Sequence, residues 1–168
     1  MSSENEFEKG DAGATNTELA EAGRAKPGSL YMIKGFPCKV TAFSTAKPGK
    51  HGSAKAMLVG KDIFTDKQYE ETFGTGDMEP RPIVSKTEMN CIDISDDGFL
   101  QLMQEDGEMK EDIKIPHEEH LKDIAARIKS ILAEGKKECL VTIQKWGDKE
   151  QACLVREGQD AWFLQISC

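Results

Sequence analysis

The sequence predicts a mainly β chain folded as two small barrels, with a single helix in the second. Three observations carry that expectation. Short β-type runs of five to eight residues recur on either side of a proline- and glycine-bearing stretch, GTGDMEPRPIVSK at 74–86. Only one stretch, near 117–134, spaces its apolar residues by three and four. That helix falls between the third and fourth of the five later runs, the element order of an oligonucleotide-binding (OB) barrel.

Residues 1–25 are rich in Glu, Gly, Ala, Thr and Asn without sustained periodicity, and are expected to form a flexible acidic tail. The first barrel is expected over 26–86. Its runs are SLYMI (29–33), CKVTAFS (38–44), AKAMLVG (54–60) and KQYEETF (67–73). They are separated by Gly35-Phe36-Pro37, by the loop TAKPGKHGSAKA and by Thr65-Asp66. Val40 and Ala42 oppose Thr41 and Phe43, and Met57 and Val59 oppose Leu58, so neither run alternates cleanly. Such strands suit a small curved barrel, buried over parts of both faces.

The second barrel is expected over 87–160. EMNCIDI (88–94) and FLQLM (99–103) flank the turn signal Asp96-Asp97-Gly98, and Asp106-Gly107 turns the chain toward MKEDIKI (109–115). The helix carries Leu121, Ile124, Ile128, Ile131 and Leu132 on one stripe. Pro116 and Glu118-Glu119 open it, and Gly135 followed by Lys136 and Lys137 closes it. CLVTIQKW (139–146) and QACLVRE (151–157), joined across Gly147-Asp148, complete the order. The tail at 161–168, AWFLQISC, is apolar and receives no role from the sequence.

Composition narrows the function classes. A mean hydropathy of -0.52 over 168 residues, with no apolar run of bilayer length, points to a soluble chain without a membrane partner. The acidic start MSSENEFEKGDAGATN is the opposite of a secretory or transit peptide, so a cytoplasmic location is expected. There are five single cysteines without a C-x-x-C pair, and the internal four read as reduced, packed thiols. The formal net charge is -8, yet from Arg24 to Lys61 there are eight basic residues and no acidic one. A basic stripe on an acidic chain suggests a polyanionic partner.

The catalytic motifs fail on inspection. Gly49-Lys50 lacks the earlier glycine of a phosphate-binding loop, and His51 stands where Ser or Thr would be needed. Gly74-Thr75-Gly76 precedes no helix, so it is not a dinucleotide fingerprint. His117 and His120 lie three apart at the helix start without further ligands, which reads as charged first-turn residues and not as a metal site. A hydrolase using His51 would require a carboxylate or thiol beside it in space. The loop itself remains. Gly49 and Gly52 bracket Lys50-His51, with Lys47 and Lys55 on the flanks, and composition alone reads this as a solvated hairpin turn.

The segment STAKPGKHGSAKAMLVGKDIFTDKQYEE (44–71) closely resembles the signature of the eukaryotic translation initiation factor 5A family, a K-x-G-K-H-G-x-A-K loop followed by a strand and DIFT. FEKGDAGA (7–14), GFPCKV (35–40), DGFLQLMQEDGEMKEDIKIP (97–116) and the late helix resemble the family in the same order. The resemblance implies an SH3-like N-terminal barrel joined to a C-terminal OB barrel, and a factor that is not an enzyme. It implies binding to the ribosome, through rRNA and peptidyl-tRNA beside the peptidyl site, and promotion of peptide-bond formation at stalled proline runs and of termination. Lys50 would be converted to hypusine by deoxyhypusine synthase and deoxyhypusine hydroxylase, the spermidine-derived group taking the place of any cofactor. Lys47, Gly49, His51, Gly52, Ser53 and Lys55 would form the surrounding contact loop.

Two positions depart from the family pattern. Ser53 stands where His is usual, which removes a ring contact, and Pro48 stiffens the ascending limb. The alternative is a two-barrel RNA-binding module that uses the same stripe without modification.

Overall fold

The structure is a computed structural model in which residues 16–161 are described, apart from residues 48, 50 and 51. It divides into two units on either side of the Ile83–Val84 junction. Both are curled sheets.

In the first unit, β1 (Thr17–Glu21) is followed by a 3-10 turn at Ala22–Arg24, then β2 (Leu30–Ile33), β3 (Phe36–Ala46), β4 (Lys55–Asp62), β5 (Gln68–Gly74) and β6 (Met78–Pro82). Strands β2 to β5 form an antiparallel sheet in sequence order, and β1 pairs with β6. The barrel is SH3-like. Arg81 of β6 brings the smaller sheet against β2, its Nε donating to the Leu30 carbonyl at 2.9 Å while its guanidinium lies 5.4 Å from the Tyr31 ring centre. A register shift between Val40 and Ala42 accommodates the curvature of β3, with Thr41 as the extra residue. Tyr31, Ile33, Cys38, Val40, Ala56 and Leu58 are buried together as the core.

Two segments differ from the sequence expectation. Residues 17–25, expected as part of a tail, hold β1 and the 3-10 turn, and the proline- and glycine-bearing stretch at 74–86 holds β6. Thr-Glu-Leu-Ala-Glu carries no strand signal of its own and is held by pairing with β6, from Thr17↔Pro82 to Glu21↔Met78. Pro80 and Pro82 are tolerated because β6 pairs on one side only. Residues 1–15 of the expected tail lie outside the described residues.

The second unit contains β7 (Ser85–Ile94), β8 (Phe99–Met103), β9 (Met109–Lys114), helix α1 (Lys122–Glu134), β10 (Lys137–Trp146) and β11 (Lys149–Asp160). A 3-10 turn at Glu119–Leu121 leads into α1. The strand order β11-β10-β7-β8-β9 is that of an OB barrel with α1 inserted before its fourth strand. The edges are joined by Lys110 of β9, whose Nζ lies 3.1 Å from Glu150 of β11 and 3.0 Å from Asp112. Burial disfavours the Lys110 ammonium, but these carboxylates outweigh it and hold the group above its ordinary pKa. Helix α1 ends as its sequence dictates: Gly135 adopts φ 64° and donates its N–H to the Ile131 carbonyl at 3.1 Å. Ile128 and Ile131 are buried against Leu100, Leu102, Val141 and Ile143.

Cys38, Cys91, Cys139 and Cys153 are free thiols. Cys38 lies opposite Asp62 in the β3–β4 register and is fully buried. Burial, reinforced by the Asp62 carboxylate, pushes its pKa up to about 11. An unfolded thiol titrates near about 8.5, so between there and 11 the unfolded chain loses a proton that the native chain keeps. Stability from this thiol is therefore complete below about pH 8.5 and is lost as pH rises toward 11. Urea unfolding at pH 7.5 and 10.5 should show an alkaline loss on the order of 2 kcal/mol, diminished in Cys38→Ala. Equal losses in the two proteins would refute it.

Candidate functional site

The loop singled out by the sequence connects β3 to β4, whose last paired residues are Ala46 and Lys55. It leaves the barrel from the middle of the sheet. On the descending side β4 is held by β5 as well as β3, through Lys55↔Gly74 and Ala56↔Phe73. The loop's foot is fixed by backbone hydrogen bonds: Thr75 N–H donates to the Ala54 carbonyl at 3.0 Å, and Gly23 N–H donates to the Thr75 carbonyl at 2.8 Å.

A tight turn holds this foot. Asp77 Oδ2 accepts the Gly74 N–H at 2.7 Å, the Asp77 N–H donates to the Gly74 carbonyl at 3.0 Å, and the Ala22 N–H donates to the Asp77 carbonyl at 2.9 Å. A Cβ placed on Gly23 would meet the Thr75 carbonyl oxygen at 2.7 Å, so only glycine permits this approach. The buttress is a structural finding. Its trace in the sequence was Gly74-Thr75-Gly76-Asp77, a turn signal whose partner on the 3-10 turn is some fifty residues away.

Five of the predicted site residues have a place in this frame. Lys47 is exposed immediately after β3, and Gly49 is exposed at φ 68° with no atom within 4 Å of an added Cβ. Gly52 is half-buried, Ser53 is exposed, and Lys55 is the exposed first residue of β4. Lys50, His51 and Pro48 lie outside the described residues. The structure thus brings Lys47, Gly49, Gly52, Ser53 and Lys55 to one loop above a fixed foot.

The basic stripe is thinner in space than in sequence. Arg24 pairs with Glu21 at 3.2 Å and Lys61 with Asp66 at 3.8 Å. Glu71 Oε2 accepts the Lys34 backbone N–H at 2.8 Å. Near the foot, burial raises the Glu79 carboxyl, with Asp77 and Glu71 adding to the effect. Among the described residues, Lys47 and Lys55 make no ion pair, nor do Lys26, Lys34 and Lys39, so the loop holds two of the stripe's uncompensated charges.

Elsewhere, His117 precedes the 3-10 turn and His120 sits within it. Among the described residues no three His, Cys, Asp or Glu side chains gather as a metal ion would require. No described helix is long and apolar enough to cross a membrane.

Comparison with known proteins decides the family. Residues 15–77 match the family described as translation initiation factor 5A-like, N-terminal, and residues 83–156 match eukaryotic elongation factor 5A hypusine, DNA-binding OB fold. The chain belongs to the translation initiation factor 5A family. Eukaryotic translation initiation factor 5A-3 of Arabidopsis thaliana is 39% identical over 92% of this chain and 95% of its own length. The corresponding factor of Zea mays is 40% identical over 93% and 96%.

Solved structures agree. A translation initiation factor 5A family protein from Naegleria fowleri superposes with a TM-score of 0.77 at 39% identity, over 84% of this chain and 99% of its own. The factor from Methanococcus jannaschii does so with a TM-score of 0.64 at 27% identity, over 84% and 96%. As a member of the translation initiation factor 5A family the chain is a translation factor and not an enzyme, which sets aside a hydrolase built on His51.

Proposed function

We propose that this factor binds the ribosome beside the peptidyl site and promotes peptide-bond formation at stalled sequences such as consecutive prolines, and also termination, through hypusine formed on Lys50. The observation that carries the reading is the Gly49-Lys50-His51-Gly52 sequence on a loop whose foot is fixed while its flanking lysines are exposed and unpaired. A fixed foot under an open loop allows one side chain to be presented at a set distance from the barrel.

Chemistry supports the assignment of roles. To become hypusine, Lys50 Nζ must attack as the neutral amine. An ordinary lysine titrates at about 10.4, so the pocket of deoxyhypusine synthase has to remove that proton before the aminobutyl group of spermidine moves to Nζ. The group's bond to the secondary nitrogen breaks and 1,3-diaminopropane leaves. Deoxyhypusine hydroxylase then completes the side chain. The product carries a second amine at greater reach, suited to phosphate and sugar oxygens in a site built of RNA. Lys47 and Lys55 supply long-range attraction to rRNA and tRNA. Gly49, Gly52 and Ser53 keep the approach narrow and uncluttered, and His51 lies beside the modified residue in sequence. Holding peptidyl-tRNA in reactive geometry lowers an entropic barrier without this chain breaking a bond.

Peptide mass spectrometry of the protein isolated from its own cells tests the reading. The loop peptide should carry the spermidine-derived mass on Lys50 alone. Unmodified Lys50 throughout, in a chain that still pellets with ribosomes, would instead establish the unmodified RNA-binding module.

A further inference from the structure

Cys91 of β7 and Cys139 of β10 are direct partners across an antiparallel pair of strands, and both side chains are buried in the OB core. Direct cross-strand partners hold their Cα atoms about 4.5–5.5 Å apart, inside the span a disulfide tolerates. Their Cβ atoms, about 4.5–5.5 Å apart in such pairs, have to approach by on the order of 1 Å for the bond to form. The fold permits that approach. Cys91↔Cys139 is the last rung of the β7–β10 ladder. The register of β7 with β8 shifts just beyond Cys91, before Asp93, and that of β10 with β11 shifts between Lys137 and Cys139. Each cysteine therefore stands beside an irregularity, where the strands are free to adjust. Cys38, by contrast, faces Tyr31 on one side and Asp62 on the other.

The two thiols are unequal. Hydrogen bonding with Cys139, reinforced by burial, holds the Cys91 thiol far above its ordinary pKa. The same hydrogen bond lowers Cys139, against the effect of its burial. Cys91 Sγ also donates to the Asp93 carbonyl at 3.4 Å. The first proton to leave the pair is thus lost from Cys139, which becomes the nucleophilic sulfur. A groove of about 330 Å³ reaches both residues, walled by Ile92, Ile131 and Leu132. Since a water molecule occupies about 30 Å³ of the liquid, a molecule as small as hydrogen peroxide fits there.

We propose that Cys91 and Cys139 form a reversible oxidation site, closing to a disulfide inside the OB unit when hydrogen peroxide enters the groove. The Cys139 thiolate attacks one peroxide oxygen and the O–O bond breaks. The departing hydroxide takes up the proton that Cys139 released and leaves as water, and Cys139 is then a sulfenic acid. The Cys91 sulfur attacks the Cys139 sulfur, the S–O bond breaks, and the Cys91 proton leaves with the hydroxide as a second water. Two thiols give up two electrons and the peroxide gains them. The bond ties the end of β7 to the start of β10, so that β8, β9 and α1 lie within one covalent loop. The rung at which the ladder ends is then fixed, and a dithiol reductant restores it by exchange.

The test exposes the full, reduced chain to hydrogen peroxide, blocks the remaining thiols by alkylation and digests it without reductant. Mass spectrometry should find one cross-linked pair of peptides joining Cys91 to Cys139, abolished by dithiothreitol and formed in equal yield on tenfold dilution. Cys38 should be recovered as an alkylated thiol. With Cys91→Ala, Cys139 should be trapped by dimedone as the sulfenic acid, whereas with Cys139→Ala, Cys91 should remain a thiol. Independently of both variants, the oxidised wild type should exchange amide hydrogens several-fold more slowly than the reduced protein at 91–93 and 137–140. Recovery of both cysteines as thiols, or their joining to Cys38, Cys153 or Cys168 instead of to each other, would overturn the proposal. A cross-link whose yield falls on dilution would also overturn it, because the bond would then join two chains. Dimedone captured by Cys91 and not by Cys139 would overturn the order of attack.

Discussion

Lys50→Arg should abolish relief of stalling at consecutive prolines, reducing it to the level seen without the factor, while leaving the fold intact. The substitution keeps a positive charge but removes the primary amine to which the aminobutyl group is transferred. A guanidinium stays protonated throughout the physiological range, so it cannot act as the nucleophile the synthase requires. Stability should change by no more than about 0.5 kcal/mol. The neighbouring Gly49 and Ser53 are exposed, and among the described residues neither core draws one from the loop.

The measurement is in vitro translation of a message encoding a proline run, with modified wild type and Lys50→Arg at equal concentration and equal melting temperature. Equal relief would show that charge at the loop suffices, and the role assigned to hypusine would fall. Loss of relief with retained ribosome binding would separate positioning from affinity, since Lys47 and Lys55 are untouched.

The elements that could be read from sequence are those whose determinants are local. Helix α1 carries its apolar stripe, its acidic opening and its terminating Gly135 within one short stretch, and β8 coincides with the run FLQLM. The loop was legible for the same reason, because its glycines and lysines are contiguous. Strand β1 was not. Leu, Ala and Glu favour helix or tail, and the partner that makes them a strand is β6, some sixty residues later. Two prolines hid β6 in turn.

The charge pattern was legible only in part. Eight basic residues without an acidic one in sequence become fewer free charges in space, because Glu21 and Asp66 come in from outside the span. The buttress under the loop joins the Ala22–Arg24 turn to Thr75 and Asp77, a coincidence of turns that no periodicity announces. What the sequence displays is a contiguous run of glycines and lysines. What the fold adds is a fixed foot for that loop, and the foot rests on the packing of β2, β3 and β4.

Gly60 is where the packing of β2, β3 and β4 is tightest, and Gly60→Ala should be strongly destabilising. Gly60 lies in the middle of β4, opposite Val40 on one side and Tyr69 on the other. A Cβ there would stand 2.8 Å from the Lys39 carbonyl oxygen, 2.9 Å from Ile33 Cδ1 and 3.2 Å from Cys38 Cβ. The Ile33 methyl can turn aside. The Lys39 carbonyl cannot, because it belongs to β3, whose register with β2 pairs Lys39 with Leu30 and whose register with β4 pairs Lys39 with Lys61.

Relief therefore requires β3 and β4 to move apart at the bulge beside Val40. Overpacking of this kind costs about 1–3 kcal/mol, and an obstructing backbone atom places the expectation near about 3 kcal/mol. Gly76→Ala provides the matched control: an added Cβ there meets nothing within 4 Å, and the residue has no positive φ. It should be neutral or stabilising by about 0.5 kcal/mol through the unfolded state. Hydrogen exchange read by mass spectrometry should show protection lost across β2, β3 and β4 in Gly60→Ala while Leu100, Val141 and Ile128 in the OB core keep theirs. A Gly60→Ala protein as stable as Gly76→Ala would mean that the β3–β4 crossing yields more easily than these distances allow, and the rigid foot of the loop would lose its physical basis.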